Sequence, residues 1–162
     1  MIYLPDILDK KTIKRLKKGK FHYNGAKLTM TYKKVKNILG DALNDKPSSN
    51  YPGNKTYDAT QFPEVISFAF AGKPKWKKKR LKLVSIDYNH LVSLYNLSSK
   101  DIKKTWGKPD KIKKNSFDWD IDGEFDTYTY RYGHTWLWFD NDDKLFAMTY
   151  LDRKLQKKWG EI

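Results

Sequence analysis

Asp118, Asp120 and Asp122 recur at alternate positions and run directly into Gly123, which spells the opening of a D-x-D-x-D-G calcium loop. Carboxylates at that spacing offer a hard cation several oxygens, and the glycine permits the sharp turn around it. The twelfth position of such a loop calls for a bidentate glutamate, but here it is Thr129, and no helical pattern precedes Asp118. The same residues also spell an acidic turn between two strands at Asp122-Gly123, so turn and metal site both stay open. Asp140, Asp142 and Asp143 would add ligands only if the two turns meet in space. The histidines, His22, His90 and His134, stand at spacings that suit neither a metal nor a catalytic pair. No serine sits in a nucleophile elbow. Cysteine is absent, which excludes disulfides, Cys-ligated zinc and thiol chemistry. The expectation is a chain that is not an enzyme and carries no cofactor.

Two groups of residues have binding chemistry instead. Lys75, Trp76, Lys77, Lys78, Lys79 and Arg80 lie in a KPKWKKKR run that can grip phosphates and stack a base, or simply stay hydrated. The formal net charge of +14 gives that run a context, because a basic surface attracts nucleic acid, anionic lipid or teichoic acid. Arg131, Trp136, Trp138 and Leu145 form the second group. Trp and Arg dominate protein interfaces because they join a large area to a polar handle.

These side chains are placed by a meander over residues 126–150, whose aromatic and β-branched residues alternate between Gly, Asp and Asn breaks. A two-residue loop at Gly133-His134 sets Tyr130 opposite Leu137 and Tyr128 opposite Phe139. A four-residue loop over 140–143 then sets Leu137 opposite Phe146 and Thr135 opposite Met148. One face collects Tyr128, Tyr130, Leu137, Phe139, Phe146, Met148 and Tyr150 as core. The other collects Thr129, Arg131, Trp136, Trp138, Leu145, Ala147 and Thr149 as an open face, which the tail at 152–162 can cover through Leu155 or Trp159.

Upstream, residues 4–18 read as a basic helix with Pro5 at its first position and a thin apolar stripe of Ile7, Leu8 and Ile13. Such a helix leans on the protein body or lies on a membrane. Residues 31–39 form a second helix, capped by Thr31 and ended by Gly40. Residues 41–60, rich in Asn, Ser, Pro and Gly, read as loop. Strands over 64–70 and 81–88 then flank the basic run as a long hairpin tip.

Residues 97–109 align without a gap on residues 30–42: Ser98 falls on Thr31, Ile102 on Val35, Trp106 on Leu39 and Gly107 on Gly40. Downstream, Val84, Ile86 and Tyr88 fall on Phe146, Met148 and Tyr150 as core-facing positions of a last strand. The chain therefore divides into an N-terminal basic segment (1–22), a first repeat (23–90) and a second repeat with a tail (91–162). The expected class is α+β: two tandem repeats, each a short helix on an antiparallel meander, forming one sheet with the helices on one side.

The pair TYKKVKNILGDA and SSKDIKKTWGKPD, each followed by a hairpin sheet, resembles the signature of the β-lactamase-inhibitor-protein-like fold. That fold is also similar to a small outer-membrane assembly lipoprotein. The first copy departs from the signature in having Ala42 where proline is usual. The resemblance implies a sheet that binds other proteins, in a secreted or lipid-anchored protein of a Gram-positive cell surface. It does not imply β-lactamase inhibition. The expected function is binding of an unknown protein partner through the open face of the sheet. The alternative is an intracellular polyanion- or nucleic-acid-binding protein, or a toxin-neutralising immunity protein, acting through the basic hairpin and N-terminal helix.

Overall fold

The computed structural model describes residues 4–40, 43–48, 55–61, 65–119 and 123–159. Helix α1 (Lys10–Lys18) precedes a small hairpin, β1 (His22–Tyr23) and β2 (Ala26–Lys27), then α2 (Tyr32–Leu39) and strands β3 (Leu43–Ser48), β4 (Lys55–Gln61), β5 (Ile66–Gly72) and β6 (Lys82–Tyr88). A single turn, α3 (Val92–Tyr95), leads to α4 (Ser99–Trp106). Strands β7 (Lys111–Trp119), β8 (Gly123–Tyr132), β9 (Thr135–Phe139) and β10 (Leu145–Leu151) follow, and α5 (Arg153–Trp159) closes the described chain. Eight strands make one sheet in the order β3-β4-β5-β6-β10-β9-β8-β7, with every pairing antiparallel. The architecture is α+β.

That order lays two four-strand meanders together by their last strands. Along the seam Met148 pairs with Tyr88, Thr149 with Asp87 and Tyr150 with Ile86. Placing Ile86 on Met148 and Tyr88 on Tyr150 exchanges the Met148–Tyr88 and Tyr150–Ile86 pairs. Asp87 and Thr149 occupy the centre. The helix starts match as well: Thr31 accepts from the Lys34 amide, and Ser98 from the Asp101 amide in a full capping box. Thr31 bridges to Lys82, and Ser98 to Lys144. The helices end alike, Gly40 at φ 72°, ψ −157° and Gly107 at φ 79°, ψ −160°.

The core lies between the sheet and the helices. Ile13 and Leu16 of α1, Tyr32 and Val35 of α2, and Ile102 and Trp106 of α4 join one buried cluster with Phe68, Ile86, Tyr88, Leu137, Met148 and Tyr150. That cluster runs through all three segments of the chain. The N-terminal segment is fastened by side chains from farther along the chain. Trp106 Nε1 donates to the Ile7 carbonyl at 2.7 Å, and Thr135 Oγ1 to the Leu16 carbonyl at 2.8 Å.

Several expectations need correction. Helix α1 starts at Lys10, not near Pro5, because Asp9 takes the cap and accepts from the Thr12 amide. Leu8 is exposed, and Leu16, absent from the expected stripe, is buried. Residues 43–48 and 55–61, read as loop, are β3 and β4. Strand β3 tolerates Pro47 because an outermost strand need not donate every amide. The helices do not all lie on one side: Leu155 of α5 packs on Ala71 and Val84 on the opposite face. The basic run is no plain hairpin tip, since residues 78–80 wind into a 3₁₀ turn before β6.

The register between β8 and β9 is the expected one, with Tyr130 facing Leu137 and Tyr128 facing Phe139. Between β9 and β10 it is not: Leu137 faces Met148, and Thr135 faces Tyr150. A bulge between Leu145 and Ala147 inserts Phe146 as an unpaired extra residue. One extra residue exchanges the faces of everything beyond it. Leu145 therefore points into the core, fully buried, while Phe146 is only half-buried. A matching irregularity between Ala69 and Phe70 pairs Phe70 with Leu83 and Ala69 with Ser85, leaving Val84 extra. Leu83 is core, and Val84, read as core, lies under Leu155.

Candidate functional site

On the sheet face away from α1, α2 and α4, the register pairs Arg131 with Trp136 and Thr129 with Trp138. The Arg131 guanidinium carbon lies 3.9 Å from the centre of the Trp136 ring, which reduces the indole to 6% exposure. Burial, and then the charge of Arg153, lower the basicity of Arg131. Its Nε is one of the buried polar atoms without a hydrogen-bond partner among the described residues. Trp138 is half-buried, and its indole N–H donates to Thr149 Oγ1 at 3.1 Å. Thr149 in turn bonds the Asp87 carboxylate, which also accepts from Ser85 Oγ at 3.2 Å. Burial pushes Asp87 up to about 6, against the pull of the two hydroxyls, and Asp58 adds to the rise. Of the four residues proposed for partner binding, Arg131, Trp136 and Trp138 thus share one cluster, and Leu145 is removed from it by the bulge. Leu155 lies over Ala71 and Val84 of β5 and β6, so the expected cover by the tail reaches the other half of this face. The side chain of Trp159 lies outside the described residues.

The basic run is partly built into the fold. Trp76 is half-buried against Ala71 and Val84, with the Arg80 guanidinium carbon 5.1 Å from its ring centre. A Cβ added at Gly72 would collide with this indole and with Leu81, so the glycine makes room for it. Trp76 is therefore no free stacking platform, which corrects the expectation from the sequence. Lys78 Nζ sits 4.8 Å from the Tyr32 ring centre and 4.9 Å from that of Tyr57. Lys75, Lys77, Lys79 and Arg80 remain exposed.

The helical side is where exposed charge accumulates. Helix α1 turns Ile13 and Leu16 inward and exposes Lys10, Lys11, Lys14, Arg15 and Lys18. Helix α2 exposes Lys33 and Lys34, and α4 exposes Lys100, Lys103 and Lys104. Because all three bury their apolar stripes in the same core cluster, these cations share one side of the molecule. The carboxylates on these helices are committed to capping. Bonds from the Thr12 backbone and hydroxyl hold Asp9 below the usual carboxylate range, and Ser98 does the same for Asp101. The sequence analysis placed the repeat helices on one side of the sheet but assigned polyanion contacts to the basic hairpin and the N-terminal helix, not to lysines of α2 and α4.

The acidic motif is divided. Asp118 lies in β7 and Gly123 opens β8, while Asp120 and Asp122 lie outside the described residues. No group of three His, Cys, Asp or Glu side chains that could hold a metal occurs among the described residues. The Asp140 carboxylate accepts from the amides of Asp142 and Lys144, which commits it to its own turn. The amide of His134 donates to the Lys17 carbonyl at 3.1 Å, so this turn docks α1. Among the described residues no helix is long and apolar enough to cross a membrane. No protein-family profile matches the chain, and no curated protein or solved structure matches it at the significance required.

Proposed function

We propose that this protein binds a phosphodiester polyanion, nucleic acid or teichoic acid, through its lysine-covered helical side and without catalysis. The observation that carries the reading is the common orientation of α1, α2 and α4, on which most of the exposed residues are lysines and arginine. Each phosphate neutralised by such a surface releases counterions, so affinity must fall steeply with salt. The exposed Lys77, Lys79 and Arg80 extend the surface, because the Tyr32 amide at the start of α2 bonds the Leu81 carbonyl. Nucleic acid would place the chain inside the cell, and teichoic acid at a Gram-positive surface.

The test is a salt titration of binding to duplex DNA and to teichoic acid. The triple variant Lys10→Glu, Lys14→Glu, Lys18→Glu should lose at least tenfold at low salt and flatten the salt slope. Binding that is absent at low salt, or indifferent to salt, overturns the reading.

A second reading, capture of a protein partner through the open face, draws on the half-buried Trp138 beside the Arg131–Trp136 stack. We propose in addition that the architecture is β-lactamase-inhibitor-like and arose by duplication, which this reading would fit. Matched caps, matched bulges and the self-complementary seam support that origin.

A further inference from the structure

We propose that the end of the sheet beyond α4 is a stacking site for single-stranded nucleic acid. This rests on the polyanion reading and selects among its polymers. Helix α4 meets β8 through Trp106 against the Tyr132 ring and Lys103 over the Tyr130 ring, and the sheet continues outward past them through Tyr128 and the paired β7. There Ile112 is 51% exposed and Tyr128 40% exposed, both large apolar side chains on the face that is core elsewhere. Ile112 pairs with Tyr130 and Lys114 with Tyr128, so the isoleucine and the exposed ring lie diagonally adjacent. A groove of about 590 Å³ reaches Ile112 and is also lined by Lys103, Lys108 and Lys111. Lys103 Nζ stands 5.3 Å from the Tyr130 ring centre, which fixes a cation at the margin of this apolar floor. Among the described residues the one carboxylate in the lining is Asp110, whose Oδ2 accepts from the Gly133 amide at 2.7 Å.

On the other flank of α4 a groove of about 250 Å³ is lined by Lys10, Lys14, Lys17 and Lys18 of α1 with Thr105. Lys103 and Thr105 lie two residues apart on a helix, hence on opposite flanks of it. A flexible anionic strand crossing α4 therefore passes from one lysine-lined groove to the next. An open aromatic ring with an aliphatic neighbour, bordered by cations, suits a ligand that alternates flat apolar groups with phosphates. Single-stranded nucleic acid does so, and ring stacking is tolerant of base identity. Teichoic acid has no flat base, and a duplex keeps its bases inside.

The test compares a fluorescent oligothymidylate of fifteen nucleotides with a duplex of the same length at equal salt. The wild-type chain should bind the single strand at least tenfold more tightly. Tyr128→Ala should weaken single-strand binding roughly tenfold and leave duplex binding unchanged, while Tyr128→Phe keeps both. Ile112→Ala is the second variant, and melting curves confirm that each folds. If Tyr128→Ala and Ile112→Ala leave single-strand binding intact while the triple α1 variant weakens both polymers, this site is wrong and the polyanion reading stands. Absence of binding to either nucleic acid and to teichoic acid overturns both. Tyr128-dependent binding of an acidic, leucine-bearing peptide, with no binding of oligothymidylate, overturns the site as a nucleic-acid surface.

Discussion

Asp87 is a carboxylate set where the two halves of the sheet meet, paired with Thr149 across the seam and bonded by Ser85. The residue keeps partial exposure while its carboxyl is enclosed, and burial raises it to about 6 from an ordinary value of 3.8. The folded state therefore holds this proton more tightly than the unfolded chain. Its contribution is fully present below about pH 4, is lost as pH rises from there to about 6, and stays flat above. Allowing for partial solvent access, the loss is on the order of 1–2 kcal/mol. Asp87→Asn should remove this component, so that urea midpoints of wild type and variant diverge between pH 4 and 6, with the variant more stable at pH 7. Superimposable pH profiles would mean that the carboxyl is solvated in the folded protein. Trp138 hangs from the same network through Thr149, so its indole N–H already has a partner inside the chain.

The helix–glycine junction is the element that recurs. Gly40 and Gly107 adopt the same positive-φ, extended-ψ conformation, and a Cβ at either would meet nothing within 4 Å. The requirement is thus purely one of backbone, in a region that is essentially confined to glycine. Gly107→Ala should cost about 1–3 kcal/mol with no cavity or clash to blame, measurable as a lower urea midpoint at an unchanged m-value. A neutral outcome would show that the chain relaxes into another turn after α4. Helix α5 depends instead on a tertiary partner. Asp152 caps it by accepting from the Leu155 amide, and Leu155 then lands on Ala71 and Val84, some seventy residues upstream.

At the scale of the molecule, a single apolar cluster joins α1, both meanders and the seam between them. No boundary in that cluster separates residues 23–90 from 91–162, and the N-terminal segment is bonded to Trp106 and Thr135. Cooperative unfolding follows from a shared core. Far-ultraviolet circular dichroism and tryptophan fluorescence should therefore report coincident urea transitions, and two separated transitions would mean that the halves are independent. The same packing concentrates the +14 charge, because each helix buries its apolar stripe on one sheet face and leaves its lysines on the outside of that face.

Local patterns were enough to locate α2, α4 and the β8–β9 hairpin, because capping hydroxyls, terminal glycines and a two-residue turn act within a few residues of themselves. The bulges at Val84 and Phe146 left no mark in the alternation, and each reversed the faces of its neighbours, so Leu83 and Leu145 went to the core. Strand β3 was hidden because Asn44, Asp45 and Pro47 are turn formers that an outer strand accepts once β4 offers it a partner. What only the tertiary structure decided was adjacency: which lysines share a side, that Trp76 is packed and Trp136 covered, and that Ile112 and Tyr128 stand clear of α4. Composition fixes the amount of charge and apolar surface, but burial depends on contacts between residues far apart in the chain, and those exist only once the sheet is assembled.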